Sequence, residues 1–235
     1  MAAFRLRATS AASCESQLSL ELWARNRLAL RMMIELGPAT EDEMVLAFLR
    51  AEVDSSRFGA PYQSCFAQLK QKLGLDRELL LGAADLRSVQ HNSVRKNILR
   101  TARGYGDGQL LFRNFPSDVT WRRIALETTD LGKLKYGNWP PWPAFSGWTR
   151  WVVDGAANIH SVDLGNRTND LILAIASDVK AGKKYAELIG AAGEGGDVIL
   201  IEGHVRATAY ALAQLPDRME CIVGTSPAMR NWVAY

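Results

Sequence analysis

The densest run of chemistry-bearing side chains is Glu202-Gly203-His204-Val205-Arg206, between Val198-Ile199-Leu200-Ile201 and Ala207-Thr208-Ala209-Tyr210. Four apolar residues, a glycine and an alanine-rich continuation predict a buried strand, a tight turn and a helix. The first N–H groups of a helix lack internal partners, and the helix dipole is positive there. A phosphate is stabilised at such an end. Gly203 lets the backbone approach the ligand, while His204 and Arg206 offer donors to phosphate oxygens. Glu202, at the strand end, is placed to hold a Mg²⁺ ion bridging phosphates or to act as a base. Glu202, His204 and Arg206 are therefore the candidate catalytic residues, and Gly203, His204 and Arg206 the candidate nucleotide contacts. The plainer alternative is a strand-to-helix turn whose Arg206 pairs with a surface acid.

Phe145-Ser146-Gly147-Trp148-Thr149-Arg150 is a second candidate. Ser146 and Thr149 hydroxyls both donate and accept, and Arg150 offers a planar fork to a second phosphate or a carboxylate. The same hydroxyls can instead cap their own turn. Trp139, Trp142, Trp148 and Trp151 surround it, to stack a base or sugar, or to fill core. Gly224-Thr225-Ser226-Pro227 reads as a loop able to close over a site or merely to turn the chain. Between Arg87 and Arg103 lie Arg95, Lys96 and Arg100 with no acid among them. This stripe offers Arg95, Lys96, Arg100 and Arg103 as contacts to a DNA backbone, or is a solvated helix face.

The elements that must position these groups fall into two parts. Over residues 18–36, Leu22, Trp23, Leu28, Leu30, Met33 and Ile34 recur at roughly helical spacing, and Gly37-Pro38 predicts the stop. Thr40-Glu41-Asp42-Glu43 reads as a capping box opening a helix through Met44, Leu46, Phe48, Leu49 and Val53. Residues 62–73 and 85–103 predict further helices, the last ending at Gly104. The first hundred residues thus read as all-helical, with a helical region over 1–104. Gly104-Tyr105-Gly106-Asp107-Gly108 marks a loop. Residues 105–235 then read as mixed. Strands are expected at 121–126, 148–153, 197–201 and 219–223, and helices at 169–181 and 206–215. A glycine-rich loop is expected at 190–196, and Trp139-Pro140-Pro141-Trp142-Pro143 excludes regular structure. No repeat of 20–50 residues is evident.

Composition sets the bounds. The 235 residues are 48% hydrophobic and 23% charged, which argues against a disordered, collagenous or coiled-coil chain. The apolar runs at 171–176 and 198–201 fall far short of the ~18 residues that span a membrane. The net charge of +3 is below the usual footprint of a dedicated nucleic-acid binder. It is uneven: residues 1–115 hold 16 Lys/Arg and 12 Asp/Glu, residues 116–235 hold 12 and 13. Cys14, Cys65 and Cys221 form no C-x-x-C pair, and His91, His160 and His204 show no zinc spacing. Arg5 and Arg7 precede no apolar run, so no secretory signal is expected. These features together point to a cytoplasmic, bacterial-type protein, in which the Asn166-Arg167-Thr168 sequon is inert.

Glu202-Gly203-His204-Val205-Arg206 followed by Ala-Thr-Ala-Tyr resembles the strand–turn–helix signature of the ParB/sulfiredoxin superfamily. ParB proteins carry Gly-Glu-Arg-Arg there, sulfiredoxins Gly-Cys-His-Arg, and free serine kinases of the same fold Asp-Gly-His-His-Arg. The last pattern is the nearest. Glu202 stands for its Asp, His204 and Arg206 keep their types, and Val205 departs from its second His. His204 takes the sulfiredoxin cysteine's place, so sulfinic-acid reductase chemistry is not implied. The motif covers about ten residues, and a compatible strand–helix order extends over 121–223.

The resemblance implies an α+β fold, a mixed sheet with helices following the helical N-terminal region. In that superfamily an early strand leads into a short helix bearing substrate-site groups. Trp121–Glu127 and Asp130-Leu131-Gly132-Lys133-Leu134 fit that opening, which makes Glu127 and Asp130 candidate acids, or caps. The function implied first is nucleotide binding with Mg²⁺ and a nucleoside di- or triphosphate. The enzyme would be an ATP-, ADP- or CTP-dependent phosphotransferase or an NTPase. A ParB-like DNA-binding protein or nuclease is the second reading, and a non-catalytic interaction module, suggested by Val205, the third.

Overall fold

The computed structural model describes residues 33–55, 59–214 and 218–235. The predicted helix over 18–36 lies mostly outside them, and its last residues are not helical. Ile34–Ala39 forms β1, an edge strand antiparallel to β2 (Thr120–Leu126). This corrects the all-helical reading of the first hundred residues. Pro38 lacks an N–H, which an edge strand tolerates, and a bulge between Glu35 and Gly37 absorbs the irregularity. Pairing with β2 outweighs the helix-like spacing.

The helices follow as their start and stop signals dictate. α1 (Glu41–Glu52) carries the predicted capping box. Thr40 Oγ1 accepts from the Glu43 N–H at 3.2 Å, and Glu43 Oε2 accepts from the Thr40 N–H at 2.7 Å. Thr40→Ala is expected to cost about 1 kcal/mol, lowering the melting temperature by roughly 2–4 °C in a chain of this size. An unchanged melt would mean that the box adds nothing to stability. α2 (Gly59–Leu73) and α3 (Val89–Arg103) complete this layer. Ser88 caps the start of α3, and Gly104, at φ 76°, stops it.

Downstream come a 3₁₀ helix over Thr128–Lys133, β3 (Leu134–Lys135), α4 (Trp142–Phe145), α5 (Val152–Ala157) and α6 (Thr168–Lys180). β4 (Leu188–Ala192), β5 (Val198–Glu202), α7 (His204–Ala213) and β6 (Met219–Thr225) end the order. Residues 148–153 are not the strand expected. Trp151 makes one isolated bridge with Lys135, and Val152 already opens α5. Gly190–Ala192 lies in β4, so the glycine-rich loop shrinks to 193–197, closed by the Gly193 N–H on Asp197 O at 2.8 Å. The proline-rich run holds a cis Pro140–Pro141 bond and gives way to α4 at Trp142. Pro143 sits in the first turn, where a missing N–H is harmless.

Among the described residues six strands form one mixed sheet in the order β1-β2-β6-β4-β5-β3. β4 is parallel to β6 and antiparallel to β5, while β3 is parallel to β5. Side chains alternate across a strand, and here both faces are covered. Val198, Leu200, Cys221 and Val223 meet Ile172, Ile175, Ala207 and Tyr210 of α6 and α7. Ile199, Ile201 and Ile222 point the other way, towards Phe48, Leu49, Tyr62 and Leu99 of α1–α3. That is why β5 is apolar from Val198 to Ile201. The chain is α+β, with N-terminal helices followed by a six-stranded mixed sheet and interspersed helices. Among the described residues no helix is long and apolar enough to cross a membrane.

Candidate functional site

β5 delivers Glu202 to the sheet's end, and Gly203 turns the chain into α7 with φ 99° and ψ 17°. A side chain is disfavoured there twice over. The dihedrals suit glycine, and a Cβ would stand 2.4 Å from Leu188 Cδ2 in the core. The Ala207 N–H closes the first helical turn on Gly203 O at 2.8 Å, and the N-cap glycine has no side chain of its own to cap the helix start.

Arg206 lies one turn on from Glu202 and donates to its carboxylate. Arg206 also donates to Ala186 O at 2.8 Å, tying the helix start to the segment entering β4. Burial pushes the Glu202 carboxyl above its ordinary range. The Glu52 charge acts the same way, against Arg206 and the Gly203 N–H, which hold it down. The partner of Arg206 is thus a half-buried acid of the turn itself.

His204 is 8% exposed and sits among aromatic rings. Its ring lies 5.9 Å from Tyr136 at 11°, 5.3 Å from Trp139 and 5.0 Å from Trp142. The Gly137 N–H donates to His204 Nε2 at 3.3 Å, so that nitrogen acts as acceptor. Thr208 donates to His204 O at 2.8 Å, and the Tyr136 hydroxyl lies 2.7 Å from Thr208 Oγ1. Of the four expected tryptophans, the fold brings Trp139 and Trp142 to the turn. Trp148 is 78% exposed, and Trp151 lies beneath Lys135 Nζ at 4.3 Å.

The second candidate segment serves the fold. Ser146 Oγ donates to Pro143 O at 3.0 Å and accepts from the Arg150 N–H at 2.9 Å. Thr149 Oγ1 bonds Asp154. Arg150 donates to the main-chain oxygens of Tyr136, Ala234 and Tyr235 at 2.7–2.9 Å. Its fork is spread over backbone carbonyls rather than aimed at the Gly203 turn. Glu127 and Asp130 form a capping box around the 3₁₀ helix after β2, and Asp130 also pairs with Lys133 at 2.8 Å. Glu127 meets Arg218 at 3.3 Å, and neither acid lines the groove described below. Thr225 and Ser226 bond Thr120 O and Asp118, which fixes the loop after β6 to the chain before β2.

The basic stripe of α3 does not form one exposed face. Arg95 is 1% exposed, with its Nε on Leu80 O at 2.7 Å. Lys96 pairs with Glu41 at 2.6 Å and Asp42 at 3.0 Å of α1. Arg100 stands 3.9 Å from Asp107, and Arg103 is bound by Glu52. The cations run along the sequence, but acids of α1 and the following loop meet most of them.

The Gly203 turn opens into a groove of about 980 Å³ between α6–α7 and the N-terminal helical layer. Its lining includes Glu202, His204 and Arg206 of the turn, Glu52 and Arg103 of the helical layer, and Arg113 and Trp139. Glu52 is buried and accepts from Arg103 Nε at 2.7 Å and from the Tyr62 hydroxyl at 2.6 Å. Glu52, Tyr62, Tyr136 and Arg113 carried no sequence signal of their own. Among the described residues no three His, Cys, Asp or Glu side chains gather to hold a metal. With Glu202 engaged by Arg206, the groups present do not fit a resident Mg²⁺ ion.

No protein-family model matches the chain, nor does any curated protein or any solved structure.

Proposed function

We propose that this is a nucleotide-binding protein of the ParB/sulfiredoxin type that seats a phosphate on the Gly203 turn. The observation that carries the reading is the start of α7. Its N-cap is a glycine at φ 99°, which has no side chain to cap it, and it opens on a groove whose lining includes Arg103, Arg113 and Arg206. Its N–H groups and dipole favour an anion. The groove's volume suits a ligand of nucleotide size, and Trp139 offers a face for a base or sugar. The ParB/sulfiredoxin resemblance of residues 202–210 points the same way.

Phosphoryl transfer or nucleotide hydrolysis is the activity we propose for this turn. Charge developing on a phosphate there would meet the α7 N–H groups and the Arg206 guanidinium. Glu202 serves first as the group that orients Arg206. DNA contact through α3 is the weaker reading, because Arg95 is buried and Lys96 and Arg103 are paired.

Melting the protein with ATP, ADP, CTP and GTP tests the reading. A nucleotide at 100 times its dissociation constant adds about 2.7 kcal/mol, or roughly 5–10 °C in a chain of this size. A shift for at least one nucleotide is expected. Unchanged melting with all four would overturn the reading.

A further inference from the structure

We propose that Arg123 and Glu187 are positioning residues for Arg206: their ion pair fixes the main-chain carbonyl that sets the Arg206 guanidinium beside the Gly203 turn. The use of that guanidinium on an anion rests on the Gly203-turn reading, whereas the hold on it does not. Arg206 donates to the Glu202 carboxylate and to Ala186 O at 2.8 Å. Glu202 belongs to the turn itself. Ala186 belongs to the connection from α6 to β4, where residues 183–187 lie outside any helix or strand. No ladder places this carbonyl, so the side chains that pin the connection decide where it points.

Two pins hold it. At the β4 end Glu187 takes Arg123 of β2 at two points, accepting from Nε at 2.9 Å and from Nη2 at 3.4 Å. At the α6 end Asp178 accepts from Lys183 Nζ at 2.7 Å and from the Tyr185 hydroxyl at 2.5 Å. The Asp178 pin is exposed, and an exposed ion pair adds little. The Arg123–Glu187 pair is three-quarters buried or more, and a bidentate arginine–carboxylate contact fixes direction as well as distance. Arg123 is itself held from further sides, by Glu43 at 3.5 Å and Glu220 at 3.7 Å. Glu43 is the acid of the Thr40 capping box. The start of α1 is therefore joined, through β2 and Glu187, to the stretch of chain that holds Arg206. Without the Arg123–Glu187 pair, Ala186 O drifts and Arg206 keeps Glu202 alone. A phosphate then meets a guanidinium that it must first order, at a cost in affinity.

Rotation of the Arg206 guanidinium, followed through its Nη signals in ligand-free ¹⁵N-labelled protein, reports the hold directly. A hydrogen bond to a charged group is worth about tenfold or more. Arg123→Gln and Glu187→Ala are each expected to quicken the rotation by about that factor. Arg122→Gln is the control for a merely structural loss. Arg122 points to the other face of β2 and pairs with Glu35 at 3.0 Å, so its loss removes an ion pair of the same strand and leaves the connection alone. Rotation in Arg122→Gln is expected to match wild type. Inorganic pyrophosphate, the anionic part of the proposed nucleotides, is then titrated. Its dissociation constant is expected to rise about tenfold in Arg123→Gln and to stay at the wild-type value in Arg122→Gln. Unchanged rotation in Arg123→Gln and Glu187→Ala, equal quickening in Arg122→Gln, or unchanged affinity where rotation has quickened overturns the inference. Failure of wild type to bind pyrophosphate overturns the Gly203-turn reading instead, and the rotation alone then decides whether Arg123 and Glu187 position Arg206.

Discussion

Replacing Gly203 with alanine is expected to destabilise the protein by about 2–5 kcal/mol and to abolish ligand-induced stabilisation. Two costs combine. The backbone stands at φ 99°, where an L side chain is strained by about 1–2 kcal/mol. The new Cβ would lie 2.4 Å from Leu188 Cδ2, and Leu188 is fully buried, so the core must shift. Overpacking of that kind costs about 1–3 kcal/mol. At roughly 2–4 °C per kcal/mol, the melting temperature falls by roughly 4–20 °C. The displaced helix start no longer aims its N–H groups into the groove. A variant that melts like wild type would show that the turn relaxes freely and that the glycine is not needed for its geometry.

Arg206→Ala carries the second large effect. It leaves Glu202 without its cation in a half-buried site and removes a donor from Ala186 O. Breaking a buried pair from one side costs about 3–5 kcal/mol. The residual exposure of this pair reduces the expectation to about 2–4 kcal/mol. The pH dependence identifies the cause. Burial already holds the folded Glu202 carboxyl above its ordinary range, and loss of Arg206 raises it further. An acid raised in the folded state is neutral at no penalty below its unfolded pKa and is penalised as pH rises through the folded value. The deficit of Arg206→Ala is therefore smallest near about pH 4.5 and grows towards neutrality. Adding Glu202→Gln should recover part of it at pH 7. A deficit that is flat with pH and untouched by Glu202→Gln would assign the loss to packing alone.

The two variants also explain why the site was partly legible in the sequence. β5, the Gly203 turn and α7 are written locally, as an apolar run, a glycine and a helical continuation. The same holds for the capping box at Thr40, the stop at Gly104, β2, β6 and α6. β1 was not legible as a strand. It is created by pairing with β2, and that partner lies some eighty residues further along. The groove's lining from the helical layer was invisible for the same reason. Glu52 finds Arg103 51 residues away, and Tyr136 reaches Thr208, beside His204, across 72. Long-range pairing also changed the meaning of residues that were identified. Lys96 is read locally as part of a basic stripe, yet Glu41 and Asp42 of α1 meet it. Arg150 has the form of a phosphate clamp, yet its donors hold Tyr136, Ala234 and Tyr235. Residue type is local information, and the partner that decides its use is not.

The central claim is that an anion sits on the N–H groups at the start of α7. Its most direct test is a pyrophosphate titration of ¹⁵N-labelled protein followed by backbone amide shifts. The account predicts that the amides of Gly203, His204, Val205 and Arg206 move together and saturate, with the Trp139 indole N–H following. Those four amides remaining fixed at saturating pyrophosphate, whether or not signals elsewhere move, would contradict it.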